Sequence, residues 1–253
     1  MSERFHVEPF ESSESVAIEG PEARHIAKVM RMGPGDQVIL FDGIGSECQA
    51  TIQTVGKNSV LLTPEPWQAV CREASTRVVA AVALPKGDRL KFMVEKLTEI
   101  GVARLIPLDC QRASVKPREN TIAKMRRYVI EASKQCKRNV LMTIDDPVDV
   151  QQLVQAPPAD SERFICLPEH SQDSIPDQDP IPALVDQLAD SESLIEGSTE
   201  AWILVGPEGG FTNQENELAI ATNWRAVNLG SRILRTETAI IASCVAALNW
   251  RPQ

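Results

Sequence analysis

The chain has 253 residues, 43% hydrophobic and 24% charged. That is enough apolar material for a sizeable core and too ordinary a balance for a disordered or fibrous chain. No stretch approaches the roughly 18 apolar residues of a membrane span. The polar, acidic start MSERFHVEPFESSES lacks the basic-then-apolar order of a signal peptide, so a cytosolic protein of two unequal domains is expected. Cys48, Cys71, Cys110, Cys136, Cys166 and Cys244 form no CxxC pair, which argues against a zinc ribbon or a disulfide framework and for reduced, mostly buried thiols. The net charge of −9 taken alone disfavours a polyanionic partner. Its distribution points the other way, because residues 73–140 hold 15 of the 26 basic residues against seven acidic ones. That segment either docks a polyanion or presents solvated basic helix faces. The acid is concentrated in SQDSIPDQDPIPALVDQLADSESLIEGSTE, which reads as a solvated insertion.

Residues 1–70 carry short alternating runs such as Gln37-Val38-Ile39-Leu40-Phe41 and Ala50-Thr51-Ile52-Gln53-Thr54-Val55, separated by turns at Gly33-Pro34-Gly35-Asp36, Asp42-Gly43-Ile44-Gly45 and Gly56-Lys57-Asn58. The spacing predicts a small β-barrel. One helix interrupts it from Pro21 to Met32, where Arg24, Lys28 and Arg31 fall at i, i+4 and i+7 with His25 bordering them. Such a face either grips a nucleic-acid backbone or is solvated. Thr63-Pro64-Glu65-Pro66-Trp67 reads as the linker, since two prolines stop regular pairing.

From residue 73 the pattern becomes strand, helix, strand. Candidate strands are Val78–Leu84, Ala103–Leu108, Val140–Ile144, Arg163–Leu167, Ala201–Val205 and Ala226–Leu229, several of them the continuous apolar runs of a parallel sheet buried on both faces. Leu90, Met93, Val94 and Leu97 make one helical stripe. Ile122, Met125, Val129, Ala132 and Cys136 make a second, with Lys124, Arg126, Arg127, Lys134, Lys137 and Arg138 on the remaining surface. An α/β sheet flanked by helices follows.

Two loops carry the chemistry. After the strand Ala201–Val205 comes Gly206-Pro207-Glu208-Gly209-Gly210-Phe211, and then Thr212-Asn213-Gln214-Glu215 opens a helix as a capping box. Ligands of open parallel sheets bind beyond the carboxyl ends of the strands, where glycines let the backbone approach them. The run is neither GxGxxG nor GxxxxGK[ST], which argues against a standard dinucleotide site or a P-loop. The second loop, Leu229-Gly230-Ser231-Arg232-Ile233-Leu234-Arg235-Thr236-Glu237-Thr238-Ala239, sets two arginines beside a glycine turn and leads into an apolar helix from Ile240 to Leu248.

GPEGGFTNQE and LGSRILRTETA together resemble the RsmE-type family of 16S rRNA uridine N3-methyltransferases, within the SPOUT class of knotted methyltransferases. The similarity extends to Lys86-Gly87-Asp88-Arg89, to Glu95–Val102, to Glu131–Cys136 and to His25-Ile26-Ala27-Lys28-Val29-Met30-Arg31, so it covers nearly the whole chain except about residues 170–200. Lys137-Arg138 and Asn223-Trp224 depart from the family pattern. The resemblance implies a PUA-like RNA-holding β-barrel at 1–70 and a SPOUT-type parallel sheet with a C-terminal trefoil knot at 73–253. It also implies a cytoplasmic homodimer that acts on 16S rRNA, within the small ribosomal subunit, and involves no membrane.

The cofactor implied by that resemblance is S-adenosylmethionine, held by Leu167, Pro168, Gly206, Pro207, Glu208, Gly209, Gly210, Leu229, Gly230, Ile233 and Leu234. Uridine N3 attacks a sulfonium methyl only as its imide proton leaves, which places negative charge on O2 and O4. Arg235, with Arg232 as a second cation, is expected to stabilise that charge. No metal is required, and Glu208 and Glu237 are the carboxylates available either as base or as loop-orienting groups. RNA phosphates are expected at Arg24, Lys28 and Arg31 and at Arg112, Lys116, Arg126 and Lys134, with His25 as a further RNA contact. The rival readings are a SPOUT enzyme acting on another RNA such as tRNA, and a non-catalytic RNA-binding assembly factor. The intact loops speak against the second.

Overall fold

A computed structural model describes residues 3–10, 15–155, 161–168, 181–189, 191 and 200–249. Most of the acidic insertion predicted at about 170–200 lies outside them. The chain divides into two compact units, residues 1–73 with 130–141 and residues 74–129 with 142–253.

In the first unit, β1 (Arg4–His6), β2 (Val16–Glu19), β3 (Gln37–Phe41), β4 (Ser46–Val55) and β5 (Ser59–Pro64) pair in the order β1-β3-β4-β5-β2, with β6 (Gln68–Ala69) against β4. Only β1 and β3 run parallel. The period of two works as expected: Val38, Leu40, Cys48, Ala50, Ile52, Val60 and Leu62 all turn into one core with Phe5 and Ile18. The end strands β1 and β2 are not paired with each other among the described residues, so the predicted barrel is here a six-stranded sheet around its core.

Three expectations are corrected in this unit. The helix predicted from Pro21 to Met32 is α1 (Gly20–Arg24) followed by a π-helical turn at His25–Met30, which Arg31 ends at φ 55°. The wider i→i+5 turns move Lys28 and Arg31 off the row that 3.6-residue periodicity assigns them, although all three cations stay exposed. The predicted linker begins inside a strand, since Thr63 and Pro64 of β5 still pair with Thr51 and Ala50. The Glu65 amide donates to the Gln49 carbonyl, and the Trp67 indole donates to Phe10 O at 3.2 Å. Arg138, predicted on the solvated surface, is 4% exposed and donates to both carboxylate oxygens of Glu73 at 2.6–3.1 Å.

The second unit holds β7 (Arg77–Ala83), α2 (Asp88–Ile100), β8 (Arg104–Asp109), most of α3 (Glu119–Cys136), β9 (Thr143–Ile144), β10 (Val148–Asp149) and α4 (Val150–Gln155). Then follow β11 (Ser161–Cys166), α5 (Leu184–Ala189), β12 (Glu200–Val205), α6 (Asn213–Ala221), β13 (Arg225–Val227) and α7 (Thr236–Leu248). Every strand pair is parallel, in the order β10-β8-β7-β12-β11-β13 with β9 on β8. The strand run predicted at Val140–Ile144 shortens to two residues, because Val140 bridges Ile44 and the Leu141 amide donates to Gly43 O instead.

Periodicity identified the helical stripes. Leu90, Met93, Val94 and Leu97 are buried along α2, which ends where Gly101 takes φ 100°. On α7, Ala239, Ser243 and Ala247 recur at i, i+4 and i+8, and these small residues let the helix lie close on β7 and β12. No helix among the described residues is long and apolar enough to cross a membrane.

Candidate active site

Parallel pairing sets Cys166 opposite Val205 and Val227, so the loops after β11, β12 and β13 leave the sheet side by side. The loop after β12 turns tightly, with the Gly210 amide donating to Pro207 O at 2.8 Å and Gly210 at φ 68°, a conformation that favours glycine. Its exit is fixed by the predicted capping box: Glu215 accepts from the Thr212 amide at 2.7 Å, and Thr212 Oγ1 accepts from the Glu215 amide at 3.2 Å. Arg112 holds the loop from the side, donating to the carbonyls of Gly209 at 3.2 Å and Phe211 at 3.0 Å.

The loop after β13 is shaped by Asn228, whose Oδ1 accepts from the Gly230 amide at 2.9 Å while Gly230 takes φ 93°. It ends at Arg235, the N-cap of α7. The Thr236 hydroxyl then donates to Gly206 O at 3.2 Å, joining the two glycine-bearing loops.

Between the loops lies a cavity of about 340 Å³, within the range of small-molecule sites. Of the predicted cofactor residues, Leu167, Pro168, Pro207, Glu208, Gly209, Gly210, Leu229, Gly230, Ile233 and Leu234 all line it. Gly206 is not in the lining. A Cβ there would meet the Phe211 ring at 3.1 Å, so this glycine makes room for a neighbouring side chain. Arg232 lines the cavity, whereas Arg235 is exposed at the start of α7 outside the lining.

Sequence reasoning missed Asn213 and Asn216, which line the cavity from α6. The signal was their i, i+3 spacing just inside a capped helix start. Asn216 is 4% exposed and its Oδ1 has no hydrogen-bond partner among the described residues, an acceptor that suits a donor from a ligand. The lining also includes Cys166, whose thiol lies 3.3 Å from the Ser243 hydroxyl and is pushed up to about 11 by burial. It is therefore a neutral wall at pH 7. Arg89, at the start of α2, reaches both candidate carboxylates, 3.3 Å from Glu208 and 3.8 Å from Glu237.

The predicted RNA contacts separate into two groups. Arg24, His25, Lys28 and Arg31 are exposed and have no ion pair among the described residues. The others are engaged: Lys116 pairs with Asp109, Arg126 donates to Ile144 O at 3.2 Å, Arg112 braces the loop, and Lys134 pairs with Glu22 and Glu131. Part of the basic segment's charge is thus paired within the protein, although Lys116 and Arg126 keep side chains 55% and 57% exposed.

The chain matches an RNA methyltransferase domain over residues 72–248 and an RNA methyltransferase PUA domain over residues 18–65. It is 33% identical over 247 residues to ribosomal RNA small subunit methyltransferase E of Bacillus subtilis, covering 96% of this chain and 93% of that protein. The protein of the same name from Rickettsia conorii is 30% identical over 223 residues, covering 87% and 83%. The fold matches ribosomal RNA small subunit methyltransferase E from Neisseria gonorrhoeae, solved with S-adenosyl methionine, with a TM-score of 0.83 at 26% identity over 98% and 96% of the two chains. A Legionella pneumophila protein solved with the same cofactor matches with a TM-score of 0.80 at 28% identity, over 97% of each. With a methyltransferase match over most of its length and relatives aligned nearly end to end, the chain belongs to the ribosomal RNA small subunit methyltransferase E family of RNA methyltransferases.

Proposed function

We propose that the protein transfers a methyl group from S-adenosylmethionine to N3 of one uridine in the decoding region of 16S rRNA. The observation that carries this reading is the cavity that two glycine-bearing loops close at the carboxyl ends of β11, β12 and β13. Its residues fit the cofactor. Leu167, Leu229 and Leu234 offer apolar surface to a flat base, Gly209 and Gly210 bare their backbone, and the unpartnered Asn216 Oδ1 accepts from an amino group. S-adenosylmethionine, when bound, supplies a methyl group on a cationic sulfur.

Arg232 and Arg235 supply fixed positive charge for O2 and O4 as the N3 proton leaves. Glu208 and Glu237, both within reach of Arg89, order the loops on either side of the cavity. Arg24, Lys28 and Arg31 hold RNA phosphates on the N-terminal unit, with His25 as a further RNA contact. The insertion of β12 between β7 and β11, with α7 returning to pack on β7 and β12 after β13, supports a SPOUT-class trefoil knot. A homodimer is supported by Phe92 of α2 and Val245 of α7, apolar side chains 50% and 39% exposed on two helices that pack together. The protein works in the cytoplasm, on rRNA within the small ribosomal subunit.

Nucleoside mass spectrometry of 16S rRNA tests this. Cells lacking the protein should lose 3-methyluridine, and purified protein with S-adenosylmethionine should restore it on their small subunits. Retention of 3-methyluridine overturns the uridine assignment, and loss of a different methylated nucleoside moves the reaction to another RNA.

A further inference from the structure

We propose that a cavity in the N-terminal unit takes an unpaired RNA nucleotide whose base carries an exocyclic amino group, separate from the uridine that is methylated. This rests on the reading of the protein as an RNA methyltransferase. The cavity measures about 450 Å³ and is lined wholly by residues of that unit. Phe5, 1% exposed, forms part of its wall, and the Lys134 ammonium stands 5.6 Å from the centre of the Phe5 ring. Lys134 is in turn paired with Glu22 and Glu131.

The charge pattern does not favour a simple phosphate site. Glu3, Glu22 and Glu131 line the cavity together with Arg4, Lys134 and Lys137, so the formal charges cancel and the lining mixes acceptors with donors. A carboxylate paired with one lysine still has free lone pairs, and those accept the two amino hydrogens of cytosine, adenine or guanine, whereas uracil brings its single N3–H together with a carbonyl O4 that a carboxylate repels. His25 and Met30, also in the lining, present an aromatic face and a polarizable thioether to a base. The exposed cations Arg24, Lys28 and Arg31 lie on the same stretch of chain as Glu22, His25 and Met30. The nucleotide therefore binds base inward, with its phosphates on those cations.

Fluorescence anisotropy on the full-length protein, with labelled hexacytidylate and hexauridylate, tests the assignment, because these two bases differ in the amino group and not in ring size. The cytidine hexamer should bind about tenfold more tightly at equal salt, the discrimination typical of a well-placed base contact. Glu131, whose side chain is 61% exposed, can be reversed to Lys without disturbing the core. Glu131→Lys should tighten both oligomers through phosphate attraction while the ratio falls to about one. His25→Ala should weaken both by about tenfold through lost stacking, with circular dichroism unchanged. Equal affinities in the wild type, an unchanged ratio in Glu131→Lys, or unchanged binding in His25→Ala overturns the assignment. Methyl transfer to small subunits, followed in parallel, separates the two readings. Transfer without a cytidine preference removes this site and leaves the enzyme, whereas a cytidine preference without transfer keeps the site and removes the enzyme.

Discussion

The Thr236 hydroxyl donates to the Gly206 carbonyl at 3.2 Å, so the first residue of α7 holds the last peptide of the strand-to-loop junction after β12. Both loops bordering the cavity therefore share one side-chain tie. Thr236→Val keeps the shape and leaves that carbonyl without its partner, at a cost of about 1–3 kcal/mol. Affinity for S-adenosylmethionine, read by calorimetry, should fall about tenfold or more. Unchanged affinity would mean that the loops are positioned independently.

A side chain is disfavoured at Gly206 and at Gly230 for different physical reasons. At Gly206 an added Cβ meets three Phe211 ring carbons at 3.1–3.2 Å, and Phe211, 5% exposed, has little room to retreat. At Gly230 there is space, but φ is 93°, a conformation that costs a side-chain-bearing residue about 1 kcal/mol or more. Gly206→Ala and Gly230→Ala should each weaken cofactor binding. Adding Phe211→Leu should rescue the first and not the second, as measured by binding affinity and by thermal unfolding.

Arg232 and Arg235 can be told apart kinetically. If Arg235 supplies charge to the uridine and not to the cofactor, Arg235→Ala should lower kcat by roughly 10²–10³, the typical cost of one fixed donor at a developing anion, with cofactor affinity intact. Arg232→Ala, which removes part of the cavity lining, should lower both. Full activity in Arg235→Ala would remove that residue from the reaction.

What the sequence revealed was local, and what it hid was paired over long separations. The alternation in β3 to β5, the stripe Leu90-Met93-Val94-Leu97 and the Thr212–Glu215 box depend only on near neighbours, so their residues announce them. The two glycine-bearing loops stood out for the same reason, and of the eleven cofactor residues that the family resemblance implies there and at Leu167-Pro168, ten line one cavity. The fate of the basic segment was not legible. Arg138 finds Glu73 across 65 residues and Lys134 finds Glu22 across 112, and charge counting cannot distinguish a cation destined for an internal carboxylate from one left for RNA. Nor could it assign residues 130–141 to the N-terminal unit, since their helical stripe continues without interruption from the other unit. The reason for Gly206 was hidden too, because its neighbour Phe211 clashes only once the turn has formed.

Glu215 is a buried carboxylate, 2% exposed, whose work is structural. It accepts from the amide of Thr212 at 2.7 Å and its hydroxyl at 3.0 Å, and from the Gln111 amide at 3.4 Å. Glu215→Ala strands those donors and removes half of the capping box, so unfolding free energy should drop by about 1–3 kcal/mol in urea titration. Glu217, exposed on the same helix, provides the control: Glu217→Ala should stay within about 0.5 kcal/mol of the wild type.

Glu47 should give the N-terminal unit a measurable acid sensitivity. Hydrogen bonds from Arg72, opposed by burial and reinforced by Arg4, hold its carboxyl down from the usual 4.5 to about 2. The unfolded chain binds this proton more readily than the folded one, so between those two values stability rises with pH. Its contribution is complete above pH 4.5 and is lost as pH falls toward 2. Glu47→Gln keeps the shape and removes the charge. It also leaves Arg4, 6% exposed, without its carboxylate partner at 2.8 Å, which makes the variant less stable at neutral pH. Urea unfolding across a pH series should show a constant gap between wild type and variant from pH 8 to about 5, closing progressively below that. A gap that persisted undiminished at pH 3 would mean that the Arg4 and Arg72 contacts do not bias this carboxylate toward its charged form.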